Sequence, residues 1–465
     1  MSLPETPTSA NLQTSKIRSV KDGLGDVVRR IAAEKAVLWS LLIKFGSAFL
    51  LLATSVVLAR TLGIDQFGIY SFALALIAVL QLPATAGTFT LVLRDTAKGL
   101  ARSEHAQVKG LWKWNMKVVI TLSLAVCVIS WLVMALMGAE LGDPRSQTIF
   151  LALVAVPFIA VSRQISARLR GLKMVIFSQI PEQIISPALL LITVGIAAVI
   201  LPVLTSTHTI ALYLACAILA LIILACVFHF KQPPELQGSH ADISRSIAWR
   251  RSLIGLSLLS GLQLLTPQVA VIGLGATGQL EAVAEIKLAT SITVFGIFVV
   301  QVINFVYGPQ VSQSHALDDR QRIQSLAGRA VAMGALGAIP ILLALAVCAS
   351  PIVRMVYGEQ YTGAVTPVQI LAGAYAVRTL FGPCGVFLTM TGNQRSAIRG
   401  HLVGLAILFL LMLLLVPSTG ATGAAIAVAA ALMLTQMHMH FNLKRLTSID
   451  SSLWAAFLHY KRFSR

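Results

Sequence analysis

The chain has 465 residues, of which 57% are hydrophobic and only 12% charged, and its formal net charge is +18. Soluble globular proteins carry roughly 25% charged residues, so this chain has too little polar surface for water. Its apolar runs are long and continuous rather than alternating, which excludes a membrane β-barrel. Composition therefore predicts an all-α membrane protein. In such a protein positive charge first indicates topology rather than nucleic-acid binding.

The apolar runs predict about twelve transmembrane helices, because a helix needs about 20 mostly apolar residues to cross a bilayer. In chain order the predicted spans are 37–59, 67–92, 114–137, 147–168, 175–202, 208–230, 252–274, 283–308, 329–350, 364–390, 397–416 and 421–442.

The basic residues test this map, since Lys and Arg favour the cytoplasmic side. With the N-terminus inside, thirty of the 36 Lys and Arg residues fall in inner loops, in tails or at the adjoining helix ends. Only Arg60, Arg145 and Arg354 fall outside. The distribution predicts that both termini are cytoplasmic.

The longest predicted inner loop, residues 231–250, divides the chain into two sets of six spans. We expect an N-terminal lobe at 36–230 and a C-terminal lobe at 251–443, an arrangement typical of transporters built from repeats. Residues 1–35 form a basic cytoplasmic tail that is either a helix lying on the membrane surface or loosely ordered. Residues 444–465 form a cytoplasmic C-terminal tail.

Few charged residues remain inside the spans. A charge at the bilayer centre costs at least about 2.5–3.5 kcal/mol, so such residues usually serve a purpose. Arg378 lies near the middle of span 10 and is expected to line a water-filled cavity. Lys44 either lines the same cavity or reaches back to the interface. Lys287 and Glu285 lie near the outer end of span 8, where they either join the cavity or sit at the interface.

Glu182 lies in the polar stretch 179–183, beside Pro181. A proline frees backbone carbonyls, and polar groups at that depth need water or protein partners. Glu182 is therefore either a cavity-lining, proton-sensitive carboxylate or part of a polar helix-packing patch. The cations outweigh the acids, so the interior suits an anionic substrate such as a phosphate or diphosphate headgroup.

No sequence motif indicates catalysis. The five cysteines have no paired spacing, the histidines form no metal-binding pattern, and no nucleotide-binding loop is present. We expect no metal, no cofactor and no enzymatic activity.

Four stretches together resemble the polysaccharide-transport branch of the multidrug/oligosaccharidyl-lipid/polysaccharide exporter superfamily. They are residues 58–70 (an Ala-Arg-x-Leu-Gly turn followed by Phe-Gly-x-Tyr), 170–173 with 179–187, 352–361, and 420–425. The start of span 8, residues 281–287, departs from the family pattern. The resemblance implies a twelve-helix, two-lobed bundle. It implies a flippase that moves undecaprenyl-diphosphate-linked oligosaccharide across the bacterial inner membrane for O-antigen, capsule or exopolysaccharide assembly.

Combined with this resemblance, the intramembrane charges suggest roles. Arg378, Lys44 and Lys287 would hold the diphosphate, and Glu182 and Glu285 are candidates for ion or proton coupling. Besides the lipid-linked oligosaccharide and the bilayer, partners could include the polysaccharide polymerase and the export machinery. Three rival functions are an ion-coupled drug antiporter of the same superfamily, a peptidoglycan-precursor flippase, and a membrane polymerase or ligase of the pathway. The antiporter should have an intramembrane acid and few cations, and the charge balance argues against it. The peptidoglycan-precursor flippase should have two extra helices and the polymerase or ligase a long outer loop, and the span map contains neither.

Overall fold

The computed structural model describes the backbone of residues 9–140, 142–238 and 240–455, and the side chains from Trp39 onward except that of Leu259. Every regular element in these ranges is helical. The backbone is helical from Ser9, but the side chains of the basic N-terminal stretch lie outside the described residues. Its placement on the membrane surface therefore stays a prediction.

The N-terminal half contains eight helices: α1 (Ser9–Leu80), α2 (Leu82–Thr85), α3 (Thr88–Ala101), α4 (His105–Leu136), α5 (Pro144–Gly171), α6 (Val175–Ile180), α7 (Ser186–Ile200) and α8 (Ser206–Lys231). A π-helical turn, Pro181–Ile185, joins α6 to α7. The linker forms the short helix α9 (Pro234–Gly238). The C-terminal half contains α10 (Ser246–Ala276), α11 (Leu280–Ala316), α12 (Arg320–Val347), α13 (Ala349–Val356), a 3-10 turn (Glu359–Ala364), α14 (Val365–Leu380), α15 (Cys384–Met390) and α16 (Gln394–Thr447).

Within the described residues, nine helical runs are long and apolar enough to cross a membrane, or ten if one bent pair counts as a span. Two of the nine, Trp39–Thr85 and Gln394–Thr447, are 47 and 54 residues long. Each is broken by a glycine with non-helical backbone angles, Gly63 and Gly420. Each is therefore long enough for two crossings of about 20 residues. Counting each of the two as a pair of crossings, and the bent pair as one further span, gives twelve crossings, which agrees with the sequence-based prediction.

Two predicted spans are interrupted rather than continuous. The helix predicted over 67–92 ends at Leu80, and the chain turns through α2 and Gly87 before α3 begins. The helix predicted over 364–390 is bent by 44° between α14 and α15. Proline lacks an amide proton and clashes with the preceding turn, so Pro83 and Pro383 account for these breaks.

The two halves repeat the same turns in the same order. Three pairs of positions have matching positive φ angles: Gly63 and Gly278 (76° and 79°), Ser103 and Asp318 (57° and 51°), and Lys173 and Gly392 (65° and 80°). At the third pair the hydrogen bonds also match. Met174 N donates to Leu169 O, and Asn393 N donates to Leu388 O, at 2.9 and 2.8 Å. Residues 170–173 and 391–395, each of which contains a glycine and ends in a basic residue, therefore occupy equivalent places in a structural repeat.

The bundle has two chemically different ends. We call the end that carries the linker and the turns at Ser103, Lys173 and Asp318 the basic end, and the opposite one the far end. The largest hydrophobic cluster lies toward the far end and includes residues of both halves, such as Phe67 and Ile286. Toward the basic end each half has its own cluster, one around Trp112 and another containing residues such as Phe387. The halves thus share their largest core toward the far end, and a smaller cluster that includes Leu111 and Trp249 joins them at the basic end.

Polar contacts reinforce the far-end junction. Arg60 Nε donates to the Val356 carbonyl at 2.8 Å, and the Tyr361 hydroxyl donates to the Ala59 carbonyl at 2.8 Å. At the basic end, the halves meet where the start of α10 lies against α3 and α4. An ion pair of 3.2 Å between Arg245 and Glu104 lies in this contact.

Candidate functional site

A π-helical turn at Pro181–Ile185 carries Glu182. Pro181 and Pro187 each lack the amide proton that a helix needs, so the local ladder cannot remain regular. Such single-turn widenings occur frequently at functional sites. The polar stretch that the sequence singled out is therefore also the one irregular point of this membrane span.

Glu182 lines a cavity of about 170 Å³ inside the N-terminal half. Its Oε1 accepts a hydrogen bond of 2.9 Å from the Ser162 hydroxyl on α5. The cavity is lined by Ile159, Ser162, Arg163, Glu182, Ser186, Tyr213, Ala217 and Ala220. A carboxylate facing a polar cavity can exchange a proton or bind a cation, which a carboxylate sealed in a helix interface cannot.

Positive charges surround Glu182. Arg163 lines the same cavity, and the charges of Arg163 and Arg170 lie close enough to interact with that of Glu182. Arg170 is held by Ser178 Oγ, which accepts from its Nε at 3.1 Å, and by the Phe89 ring at 5.0 Å. The sequence map had assigned Arg163 and Arg170 to the cytoplasmic helix end. Their spacing with Ser162 and Ser166 along one face of α5 was the signal that could have found them.

Lys44 extends this charged group toward the C-terminal half. Its charge interacts with that of Arg170, and its ammonium lies 5.1 Å from the centre of the Phe305 ring on α11. Lys44 is half-buried. It therefore lies where α1 of one half meets α11 of the other, as a residue lining a space between the halves would.

Two further polar side chains, in the membrane span that carries Glu182, lack hydrogen-bond partners among the described residues. The side-chain oxygens of Gln179 and Gln183 are buried and accept no hydrogen bond from any described residue. Buried acceptors without a donor are costly. Both therefore suit a site that receives water or a ligand donor.

Arg378 lies in the last turn of α14, immediately before the break that leads to α15. It is half-buried, and it forms no ion pair with any residue that the structure describes. Its charge interacts with the His401 imidazole on α16 and with the Tyr375 hydroxyl. The C-terminal half therefore holds an uncompensated cation at the bend of a broken helix.

Lys287 and Glu285 lie apart from both groups, in the first two turns of α11. The Glu285 carboxylate packs directly against Gly363 of the 3-10 turn at the far end. No hydrogen bond, ion pair or charge interaction links Lys287 with Lys44 or Arg378 among the described residues. Of the five predicted site residues, the structure brings Lys44 and Glu182 into one charged group and leaves the other three elsewhere.

A second cavity, of about 220 Å³, lies at the basic end. Residues of α3, α4 and α10 line it, including Arg94, Lys98, Glu104 and Arg245. Sequence reasoning did not single it out, because residues distant in the chain form it.

The helical repeat, the broken spans and the intramembrane charges together define a polytopic, two-lobed transporter fold. The fold is similar to that of an inward-facing multidrug resistance MATE family transporter of the MOP superfamily, with a TM-score of 0.69, 12% identity, and coverage of 86% of this chain and 94% of that one. It is also similar to lipid II flippase MurJ in an inward closed conformation, with a TM-score of 0.67, 13% identity, and coverage of 88% and 87%.

The sequence gives the family. A family model described as "Polysaccharide biosynthesis protein" matches residues 57–366, and the chain belongs to this family. A relative from Haloferax volcanii, "Probable low-salt glycan biosynthesis flippase Agl15", is 26% identical over 174 residues. That match covers 37% of this chain and spans about a third (36%) of the relative's length.

Proposed function

We propose that this protein is a flippase that moves undecaprenyl-diphosphate-linked oligosaccharide across the bacterial cytoplasmic membrane. The family match and the similarity to a probable glycan biosynthesis flippase and to a lipid II flippase support this proposal. The product would serve assembly of a cell-surface polysaccharide, with its polymerase and export machinery as partners. Translocation breaks no covalent bond, so the protein would not be an enzyme.

One observation carries the proposal: intramembrane cations outnumber acids. Arg163 and Arg170 lie close to the carboxylate of Glu182, and Lys44 lies close to Arg170. Arg378 has no acidic partner among the described residues. Arg and Lys bind phosphate oxygens through short, charge-assisted hydrogen bonds. A diphosphate carried between these groups would be the missing counter-charge.

Transport would proceed by alternating access. The halves share their largest core at the far end. Toward the basic end each half has its own core, and only a smaller cluster among the described residues, at Leu111 and Trp249, joins them. By the positive-inside rule, the basic end and both termini would be cytoplasmic. In this conformation the cargo would enter from the cytoplasmic leaflet, with its sugar and diphosphate between the halves and its lipid tail in the bilayer. Lys287, nearer the far end, would contact the diphosphate late in the passage.

Ion coupling would depend on Glu182, because its carboxylate faces a cavity and accepts only one hydrogen bond from the residues that the structure describes. Glu285 is the second candidate. It packs against Gly363, so a proton there would affect the far-end junction rather than the cavity.

The test is depletion of the protein in its host and measurement of inner-leaflet lipid-linked oligosaccharide. Depletion should cause accumulation, which the wild type relieves. Arg378→Ala should fail to relieve it, whereas Arg395→Ala should succeed, because Arg395 is an exposed arginine on the neighbouring α16. Equal rescue by both variants would refute the assignment of Arg378.

The same strains separate the proposal from a drug antiporter of the same fold. A flippase predicts no change in resistance to lipophilic cations on depletion. Lost resistance without oligosaccharide accumulation would favour the antiporter instead.

A further inference from the structure

The residues that follow α16 fold back onto the broken membrane span. Ser448 has a left-handed conformation with φ of 60°, which turns the chain at the helix end. We call residues 448–452 the C-terminal strap. Ser451 in this strap is fully buried. Its hydroxyl donates to the Phe381 carbonyl at 2.8 Å and lies 3.2 Å from the Cys384 sulfur.

The strap is also fixed from its other side. The Gln324 side chain on α12 pairs with the Asp450 backbone through two hydrogen bonds, of 2.8 Å to its carbonyl and 2.9 Å from its amide. Lys444 Nζ donates to the Asp450 carboxylate at 3.0 Å. Ile449 is buried in the cluster that contains Phe387. Elements α12, α15 and α16 therefore all hold the strap.

The strap lies on the break between α14 and α15. Ser451 provides a donor to the Phe381 carbonyl, and Gln436 of α16 donates to the Gly382 carbonyl at 2.6 Å. An unsatisfied carbonyl at membrane depth is costly, so these donors favour the bent geometry. A side chain at Gly382 would approach the Ser451 carbonyl to 2.7 Å, which shows how closely the strap is seated.

Arg378 is directly connected to this break. The Phe381 amide donates to the Arg378 carbonyl at 3.2 Å, so the last turn of α14 continues into the residues under the strap. Any change in the bend would rotate that turn and redirect the Arg378 side chain.

We propose that the C-terminal strap positions Arg378. Ser451 and Gln324 are positioning residues: they touch no cargo, but they fix the bend whose last helical turn presents the guanidinium. The strap stays docked during transport. The inference rests on the proposed function only where it concerns cargo, and its structural part can be tested separately.

The first experiment tests docking in membranes, with the full chain and the four other cysteines, Cys127, Cys216, Cys226 and Cys348, replaced by serine. Ser451→Cys should form a disulfide with native Cys384 under copper-phenanthroline oxidation, detected by mass spectrometry of linked peptides. Ser452→Cys is the matched control, because the Ser452 side chain binds the Asp450 carboxylate instead. Equal cross-linking of both variants would overturn the docked arrangement. Cross-linked protein should still flip oligosaccharide, and abolished flipping would overturn the claim that the strap stays docked.

The second experiment measures positioning without cargo. An Arg378→Cys reporter in a cysteine-free background is labelled with a charged, water-soluble maleimide. Gln324→Ala removes two hydrogen bonds to Asp450 and should change the labelling rate by at least about fivefold, the effect of one typical hydrogen bond on a docking equilibrium. Gln321→Ala, an exposed glutamine on the same helix, should leave the rate unchanged. Labelling of an Arg163→Cys reporter in the other half should not respond to either change, and a response there would reveal general misfolding instead of positioning.

In the Arg378→Cys reporter, Ser451→Thr keeps the hydroxyl and should leave the maleimide labelling rate unchanged. Ser451→Ala should change that rate in the same way as Gln324→Ala. An unchanged labelling rate in both Gln324→Ala and Ser451→Ala would overturn the proposal. If labelling changes as expected but Arg378→Ala flips oligosaccharide normally, the cargo role of Arg378 fails while the positioning role stands. If Arg378→Ala does abolish flipping, Gln324→Ala should raise the KM for the cargo more than it lowers kcat.

Discussion

Glu182 and His401 occupy equivalent positions in the two halves of the chain. Glu182 lies eight residues after Met174, and His401 lies eight residues after Asn393. Met174 and Asn393 make the same hydrogen bond at the matching turns. Both residues interact with an arginine of a neighbouring helix, Arg163 for Glu182 and Arg378 for His401. The repeat thus places a carboxylate in one half where the other half has an imidazole.

Because the equivalent position in the other half is occupied by a histidine, the fold does not require a carboxylate there. We therefore predict that Glu182 affects ion coupling more than folding. Glu182→Gln keeps an oxygen that can accept from Ser162 Oγ but removes the negative charge. We expect the protein to accumulate normally and to lose the dependence of flipping on the ion gradient. Flipping in vesicles with and without an imposed gradient measures this. The control is Glu140→Gln, an exposed acid at the far end. Gradient dependence that survives in Glu182→Gln would exclude Glu182 as the coupling group.

The far-end junction predicts a role for Arg60 in the conformational equilibrium. Its guanidinium donates to the carbonyls of Val356 and Met355 across the two halves. Arg60→Ala should increase the far-end-open population by a few-fold, since hydrogen bonds from charged groups are worth about 1.5–3 kcal/mol when buried and less at this exposed position. Electron–electron distance measurements between spin labels at Glu140→Cys and Glu359→Cys would detect it.

The control for Arg60 is Arg354→Ala at the same end, since no described hydrogen bond involves the Arg354 side chain. Identical distance distributions in Arg60→Ala and the wild type would show that the far end stays closed without the Arg60 hydrogen bonds.

Close backbone packing predicts a stability loss at Gly68. A Cβ built on Gly68 would overlap the Leu280 carbonyl oxygen, where α1 meets the start of α11. Gly68→Ala should destabilise the protein by about 1–3 kcal/mol, as overpacked sites usually do, and so lower the midpoint of thermal unfolding in detergent. Gly195→Ala should not, because nothing lies within 4 Å of a Cβ at that position. If Gly68→Ala and Gly195→Ala have the same unfolding midpoint, the close contact between Gly68 and the Leu280 carbonyl would be contradicted.

The strap has a predicted pH dependence. Burial by itself would raise the pKa of the Asp450 carboxyl, but hydrogen bonds from Ser452 and Lys444 hold that pKa below its ordinary value. His440 also lies 3.8 Å from this carboxylate. A group with a depressed pKa stabilises the folded form above its unfolded pKa and loses that contribution as pH falls through the folded value.

Docking of the strap should therefore be constant from pH 8 to about 5 and weaken only below about 4. The measurement is the ratio of maleimide labelling at Arg378→Cys to that at Arg163→Cys, with both reporters taken at each pH. Asp450→Asn removes the carboxylate charge, so at every pH its labelling ratio should equal the ratio that the protein with native Asp450 reaches only below about pH 4. If the labelling ratio of reporters with native Asp450 changes between pH 7 and 5, His440 would be the titrating group instead.

The sequence predicted the fold more successfully than the site. Hydropathy located both glycine turns inside the longest helices, at Gly63 and Gly420, because lipid imposes a fixed length on every span. It missed the breaks at Pro83 and Pro383. Both lie within apolar runs that hydropathy scores as continuous, and their bends are stabilised by distant partners such as Ser257, whose hydroxyl donates to the Ala86 carbonyl.

For the site, the sequence picked out Glu182, Lys44 and Arg378 by a single criterion, namely charge at membrane depth. It overlooked Arg163, because a cation near a predicted helix end looks like an ordinary topological signal. It grouped Lys287 with Lys44 because both are intramembrane lysines, although the structure links neither to the other.

The sequence by itself therefore determined that the chain is an all-helical membrane protein with about twelve crossings and a surplus of internal positive charge. These properties follow from the transfer of side chains and backbone into lipid, which depends on local composition. Only the tertiary structure decided which charges meet. The group around Glu182, the strap over the Arg378 bend and the shared far-end core each join residues far apart in the chain, and such contacts depend on how helices pack rather than on hydropathy.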